Sequence, residues 1–288
     1  MKWIVPIVLF AMMVGCTSKK ADKNPDGHQQ EPVASLVDRG PHVADHSSGM
    51  DAILVIQTEP ETVHAGAAAK LRLMIHDAKG KMLTDFETVH EQKIHLIIVS
   101  NGLDQFAHIH PQIDRDGNMT ADYTFPTGGT YWLYADHKPL KHEQATAMAE
   151  LKVAGDSPPP TQPTPNESSR ITVDDLNAEV LVENIAASGA TRIEFSLTDS
   201  ANSPVADLQP YMGAMGHLVI ISADGKQYVH AHAAENDSSH GKVEFEAHFA
   251  KPGIHKAWGQ FQRGGKVQII PFVFDTTRLN ALSKSGIR

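Results

Sequence analysis

Two stretches of this chain are near-copies, His90 to Pro111 (HEQKIHLIIVSNGLDQFAHIHP) and Met212 to Ala233 (MGAMGHLVIISADGKQYVHAHA). The spacing inside them is identical, so His95, His108 and His110 recur as His217, His230 and His232 at a constant offset of 122 positions. Two copies of one domain are the simplest account of a repeat that keeps three histidines and the apolar runs between them. The similarity extends past the hairpin: Asp77 matches Asp199, Asp85 matches Asp207, and Phe125 with Gly129 matches Phe249 with Gly253. Two copies do not make a solenoid, and each holds enough apolar strand residues to close its own core.

Each copy reads as a β-hairpin. Asp224-Gly225 lies between two apolar runs and suits a type I′ turn, while Gly102-Leu103 suits type II′. Counting outward from Asp224-Gly225 pairs Ile221 with Tyr228, Val219 with His230 and His217 with His232 on one face. The same count upstream sets His95 opposite His110 with His108 diagonal to it, and makes Ile97, Val99 and Phe106 core. Directly opposed Cβ atoms lie ~5 Å apart and diagonal ones ~7 to 8 Å, which lets each set of three imidazoles converge on one ion.

From Asp51 onward, short runs rich in Val, Ile, Leu and Thr are bounded by Gly, Pro, Asn and Asp, with no long helical period. The pattern predicts an all-β chain. Seven strands between Ala52 and Val153, and seven in the same order between Glu179 and Asp275, are what an immunoglobulin-like sandwich requires. The expected architecture is two tandem immunoglobulin-like β-sandwich domains, residues 51–154 and 170–278, followed by a tail over 279–288. Residues 155–169, GDSPPPTQPTPNESS, predict a semi-rigid proline-rich linker. Few contacts should cross such a linker, so the domains are expected to fold independently.

Residues 1–16, MKWIVPIVLFAMMVGC, join a charged Lys2 to an apolar run too short to span a bilayer, the pattern of a secretory signal. Met-Val-Gly-Cys resembles the lipobox of bacterial lipoproteins, which implies cleavage before Cys16 and acylation of its thiol. Residues 17–50 are polar, without apolar period, and read as a disordered tether carrying His28, His42 and His46. The expected location is the cell envelope, lipid-anchored on the periplasmic face of a bacterial membrane, the outer membrane in particular. With one Cys in the chain no intramolecular disulfide can form. The formal charge of −9 argues against a nucleic-acid partner.

Seventeen His supply abundant ligands, since neutral imidazole offers a lone pair at physiological pH. His-x-His on a strand puts two rings on one face, and the hairpin brings a third. Beside the cluster the copies differ. His90 and Glu91 add an imidazole and a carboxylate to the first, suiting Cu(II) or Zn(II), whereas Met212 and Met215 add thioethers to the second, favouring Cu(I). Gap-filling core is the alternative for both Met residues. His137 and His142 flank the last hairpin of the first domain and are expected to be exposed loop residues unless they close its site. Trp132, Tyr134 and Trp258 read as sandwich core. A zinc-protease reading of His90-Glu91 fails because the next His is five residues on and near a strand, where the motif needs four on a helix. No Ser-His-Asp order, phosphate loop or Cys nucleophile is legible, so no catalytic residues are assigned.

The signatures HLIIVS…FxHIHP, at His95 to Pro111, and GAMGHLVIIS…HAH, at Gly213 to His232, resemble those of a bacterial exported lipoprotein family similar to FixH-like and YtkA-like immunoglobulin-fold domains. The resemblance covers both folded domains and implies handling of copper and other heavy metals. Ala233 departs from the Pro that the first copy keeps at Pro111. Together these readings predict a copper chaperone, buffer or sensor and not an enzyme. Its partners would be the membrane, through the lipid, the metal ion, and an envelope metal-transport protein. The alternative is a metal-free adhesion or interaction module.

Overall fold

The computed structural model describes residues 42–44, 52–185, 190–233 and 239–282. The signal peptide, Cys16, most of the expected tether and the end of the tail lie outside these residues. Within the tether, His42–Ala44 forms a short strand, β1, whose backbone pairs with Tyr228, Val229 and His230.

The first sandwich comprises β2 (Ile53–Glu59), β3 (Ala68–His76), β4 (Ile94–Ser100), β5 (Phe106–Ile109), β6 (Gln112–Ile113), β7 (Met119–Thr124), β8 (Gly129–His137) and β9 (Ala145–Val153). They follow the order β5-β4-β8-β9-β2-β3-β7-β6, and the β2–β9 pairing, parallel at Ile53 and Met148, is what joins one layer to the other. Leu71, Leu73 and Ile75 of β3 share one buried core with Leu96, Ile98, Leu133 and Ala135 of β4 and β8.

The second sandwich comprises β10 (Arg170–Val173), β11 (Leu176–Ile185), β12 (Ala190–Asp199), β13 (Leu208–Gln209), β14 (His217–Ser222), β15 (Tyr228–His232), β16 (Lys242–Ala247), β17 (Ile254–Arg263) and β18 (Lys266–Asp275). One sheet runs β10-β11-β12-β16; the other runs β1-β15-β14-β17-β13, with β18 on β17. Phe195, Phe245, Phe261 and Phe272 centre its core. A short helix over Thr276–Leu282 follows, in the stretch where part of the tail was expected, and Asp275 caps it by accepting from Thr277 N at 2.9 Å.

The expectation that few contacts join the two domains does not hold. Strands β4 and β14 are buried along nearly their whole length. Leu96 and Ile98 face the first core, and Leu218 and Ile220 the second. Ile97, Val99, Leu103 and Tyr134 instead form a third core with Val219, Ile221, Tyr228 and Trp258, half from each domain. Phe106 stacks on Trp258 at 4.6 Å between ring centroids, and Tyr134 on Tyr228 at 5.1 Å. HLIIVS and HLVIIS are apolar at consecutive positions, the pattern of a strand covered on both faces, and one sandwich covers only one. Trp132, Tyr134 and Trp258 thus belong to the seam between sandwiches. The linker is tied down as well: Gly128 N donates to Asp156 O at 2.7 Å, Thr161 Oγ1 to Asp104, and Asn166 N to Val273 O at 2.9 Å.

Halves of the chain separated near Ser168 should therefore expose the third core and associate with each other one to one. Sedimentation of the mixed halves checks this; two monomeric halves that each unfold cooperatively would show that the seam contributes little.

Candidate metal centre

The register expected of both hairpins is present, though by other turns. In the second, His217 pairs with His232, Val219 with His230 and Ile221 with Tyr228. In the first, Leu96 pairs with Ile109 and Val99 with Phe106, which sets His95 and His110 one step further out. Each loop has four residues between closing partners, with Ser100 N bonded to Gln105 O and Ser222 N to Gln227 O. Of the central residues only Leu103 (φ 59) and Gly225 (φ 72) are left-handed, so the turns are neither type II′ nor type I′. Widening a loop by one residue on each side preserves the pairing, so the register is the same. Gly225 is required by the seam too: a Cβ there would lie 2.5 Å from the Trp132 ring.

Type I′ turns occur one strand earlier. His90 (φ 47) with Glu91 (φ 66), and Met212 (φ 51) with Gly213 (φ 73), are consecutive left-handed pairs closed by Val89–Gln92 and Tyr211–Ala214 bonds. The carbonyls exposed by these turns are used at once. Val89 O accepts from His95 Nε2 at 3.0 Å and Tyr211 O from His217 Nε2 at 2.8 Å. A left-handed non-glycine residue costs ~1 to 2 kcal/mol, and such strain concentrates at functional sites. Because Glu91 is exposed, Glu91→Gly should raise stability by about 1 kcal/mol without weakening metal binding. Denaturant melts beside metal titrations test this, and a loss of affinity would make the Glu91 carboxylate a ligand.

The three rings of the first copy meet closely. His95 Nδ1 lies 3.0 Å from His108 Nε2, and His110 Nε2 lies 3.2 Å from each. In the second copy His217 Nδ1 is 3.4 Å from His230 Nε2, and donor nitrogens of all three rings lie within 4.8 Å of one another. Metal–nitrogen bonds of ~2.0 to 2.1 Å in a tetrahedron put neighbouring ligands about 3.3 Å apart, so both triads have the dimensions of a three-His site.

Hydrogen bonds outside the triads decide which nitrogen is bare. A carbonyl can only accept, so Nε2 of His95 and of His217 carries the hydrogen and Nδ1 keeps its lone pair. His108 Nδ1 donates to Gln260 Oε1 at 3.0 Å and His230 Nδ1 to Asp136 Oδ2 at 2.9 Å, which leaves both Nε2 atoms bare. Two unprotonated nitrogens therefore face each other in each copy, an arrangement that a cation relieves. His232 Nε2 is buried with no hydrogen-bond partner among the described residues.

Both triads belong to one cluster. The ring centroids of His95 and His108 lie 5.1 and 5.2 Å from that of His230 across the seam. Asp136 and Gln260, the ladder partners of His95 and His217, each reach over to support a histidine of the opposite domain. The packing is that of a two-fold pair made from one chain.

Burial, then the neighbouring rings, pushes His108, His217, His230 and His232 well below the usual imidazole range, and His110 to about 4. The rings are neutral at pH 7, with lone pairs available. In the unfolded chain they titrate near the ordinary 6.5. Between that value and about 4 the unfolded state binds more protons, so stability is greatest above pH 6.5 and falls as pH drops towards about 4. Chemical denaturation of metal-free protein from pH 8 to pH 4 should show this slope, and a flat profile would contradict the buried neutral cluster.

Not every expected ligand joins. His90, expected beside the first triad, stacks on His232 at 3.6 Å and lies 5.9 Å from His217, so it borders the second. Glu91 is exposed, near Gly213. Met215 is part of the second hydrophobic core, and Met212 occupies the turn position equivalent to His90. Met215 thus has the core position that was the alternative for both Met residues, while Met212 is half-buried in the turn. His137, expected to be exposed, is buried against Phe86 with Nδ1 on Ala135 O at 2.9 Å, while His142 is exposed. Asp136 and Gln260 were missed. Their signal was their place in the strand that neighbours the His-bearing one.

No curated protein matches the chain in sequence. Among solved structures it is similar to the Escherichia coli adhesin FdeC, at 15% identity over 77% of this chain and 63% of that one, with a TM-score of 0.26. It is similar to invasin, a bacterial integrin-binding protein, at 13% identity over 76% of this chain and 39% of the other, TM-score 0.23. A DUF3823 family protein from Bacteroides uniformis shares 12% identity over 79% of this chain and 98% of its own, TM-score 0.23. The chain spans less than two thirds of the length of the first two, 63% and 39%. Residues 49–155 and 171–278 each match the family described as a domain of unknown function (DUF8832), and the chain belongs to that family through two copies of its domain.

Proposed function

We propose that this protein binds transition-metal ions in the cell envelope, as a copper chaperone, buffer or sensor and not as an enzyme. The observation that carries the reading is the pair of bare imidazole nitrogens facing each other in each hairpin, 3.0 and 3.4 Å apart, their tautomers fixed from behind. Donors in both triads are nitrogens. Imidazole suits copper and zinc, and Cu(II) stands highest in the divalent affinity order, so Cu(II) is the favoured ion with Zn(II) next. A preference of the second domain for Cu(I) would need a thioether of Met212 or Met215 beside the triad, and Met215 is part of the second core. Both triads sit against one another in a packed seam, which suits holding ions better than admitting a substrate.

The envelope location rests on Lys2, the apolar run and the Met-Val-Gly-Cys resemblance, which would tether the protein through acylated Cys16. Among the described residues no helix is long and apolar enough to cross a membrane. The partners of this reading are the membrane, through the lipid, the ion itself, and an envelope transport protein that exchanges it. The resemblance to FixH-like and YtkA-like domains points to the same chemistry.

Metal analysis of untagged protein exposed to Cu(II) and Zn(II) tests the reading. Two ions per chain are expected, falling to one when His95, His108 and His110 are replaced by Ala. Depressed imidazole pKa values mean that protons compete only at low pH, so binding should persist below pH 6.5. Stoichiometry unaffected by the triple substitution would reject the site, and absence of binding would leave a metal-free interaction module.

A further inference from the structure

His230 and His108 hold equivalent places in the two hairpins, yet what supports them differs. Behind His230 stands the carboxylate of Asp136, with both side chains almost wholly buried, at 1% and 2% exposure. Behind His108 stands the amide of Gln260 at 3.0 Å, itself buried. Gln144 Nε2 also donates to Asp136, at 2.8 Å to Oδ1 and 3.0 Å to Oδ2. These bonds to Asp136 are all accepted ones, as an ionised carboxylate requires. A carboxylate on the far nitrogen of a ligating imidazole makes the ring a stronger donor and sets a negative charge near the ion. An amide oxygen fixes the same tautomer and adds no net charge.

We infer that the seam is an ordered two-ion centre in which Asp136, lent by the first domain, makes His217, His230 and His232 the tighter site. His95, His108 and His110, supported by neutral Gln260, fill second. The inference rests on the metal-binding reading and adds an order of filling to it. Asp136 and Gln260 are positioning residues: neither belongs to a triad, and each acts through a histidine of the other domain. His90, stacked on His232 at 3.6 Å, borders the triad that Asp136 supports, so the Asp136→Asn effect and not the ranking alone separates the two contributions. Repulsion between two cations held by adjoining rings further separates the affinities.

The test uses the full chain and Zn(II) in competition with a chromophoric chelator. One background carries His95→Ala, His108→Ala and His110→Ala, leaving the second triad; the other carries His217→Ala, His230→Ala and His232→Ala, leaving the first. The second triad should bind more tightly. Asp136→Asn should lower its affinity by about 10- to 100-fold and leave the first triad unchanged, and Gln260→Glu should strengthen the first triad alone. Thermal unfolding of each metal-free variant shows whether it is folded. Should Asp136→Asn fail to fold, the ranking of the two triads and the effect of Gln260→Glu decide. Equal affinities, or an Asp136→Asn effect shared by both triads, would overturn the order while leaving metal binding intact. Failure of both triads to hold either Zn(II) or Cu(II) would overturn the metal reading and this inference together.

Discussion

Burial of the second face of β4 and β14 is the constraint on which the rest of the structure depends. Each strand gives alternate side chains to its own sandwich and the others to the seam, so neither can be satisfied within one domain. Covering Ile97, Val99, Val219 and Ile221 removes apolar surface from water at about 25 cal/mol per Å², and the stacked aromatic pairs add to it. His95 and His217 lie at the end of the same faces. Wherever the apolar positions dock, the histidines follow, because side chains on one face of a strand move as a unit.

Closing the seam places neutral imidazoles where water is scarce, a cost that hydrogen bonds offset only in part. The outer nitrogens are satisfied by Val89 O, Tyr211 O, Asp136 and Gln260. The inner ones face each other. Strain in the turns at His90-Glu91 and Met212-Gly213 belongs to the same arrangement, since those turns aim the two carbonyls that orient His95 and His217. Hydrophobic docking thus supports a local arrangement that is unfavourable by itself, a usual feature of preorganised sites.

Duplication made the seam self-complementary, and divergence has since made it unequal. Phe106 against Trp258 repeats as Tyr228 against Tyr134, with different rings in equivalent places. The Asp136 and Gln260 supports repeat in position and differ in charge. The ring exchange keeps the stack, whereas a carboxylate in place of an amide alters the field at the centre.

Much of this was legible in the residues. The repeat, the all-β period and the register of both hairpins follow from local patterns, because a strand's side-chain alternation and the centre of a turn are short-range properties. Parity explains why the wrong turn types still produced the right pairs: loops of two and four residues about one centre share a register. His95, His108, His110, His217, His230 and His232 therefore came together as expected. Tertiary structure alone decided that the triads meet, that Met215 serves the core, that His90 borders the opposite triad, and that Asp136 and Gln260 reach across. Each of those depends on which surface covers the outer face of β4 and β14. Consecutive apolar residues in HLIIVS and HLVIIS declared that the face must be covered, but hydrophobic burial is non-directional and names no partner. The partner proved to be the other copy of the same face.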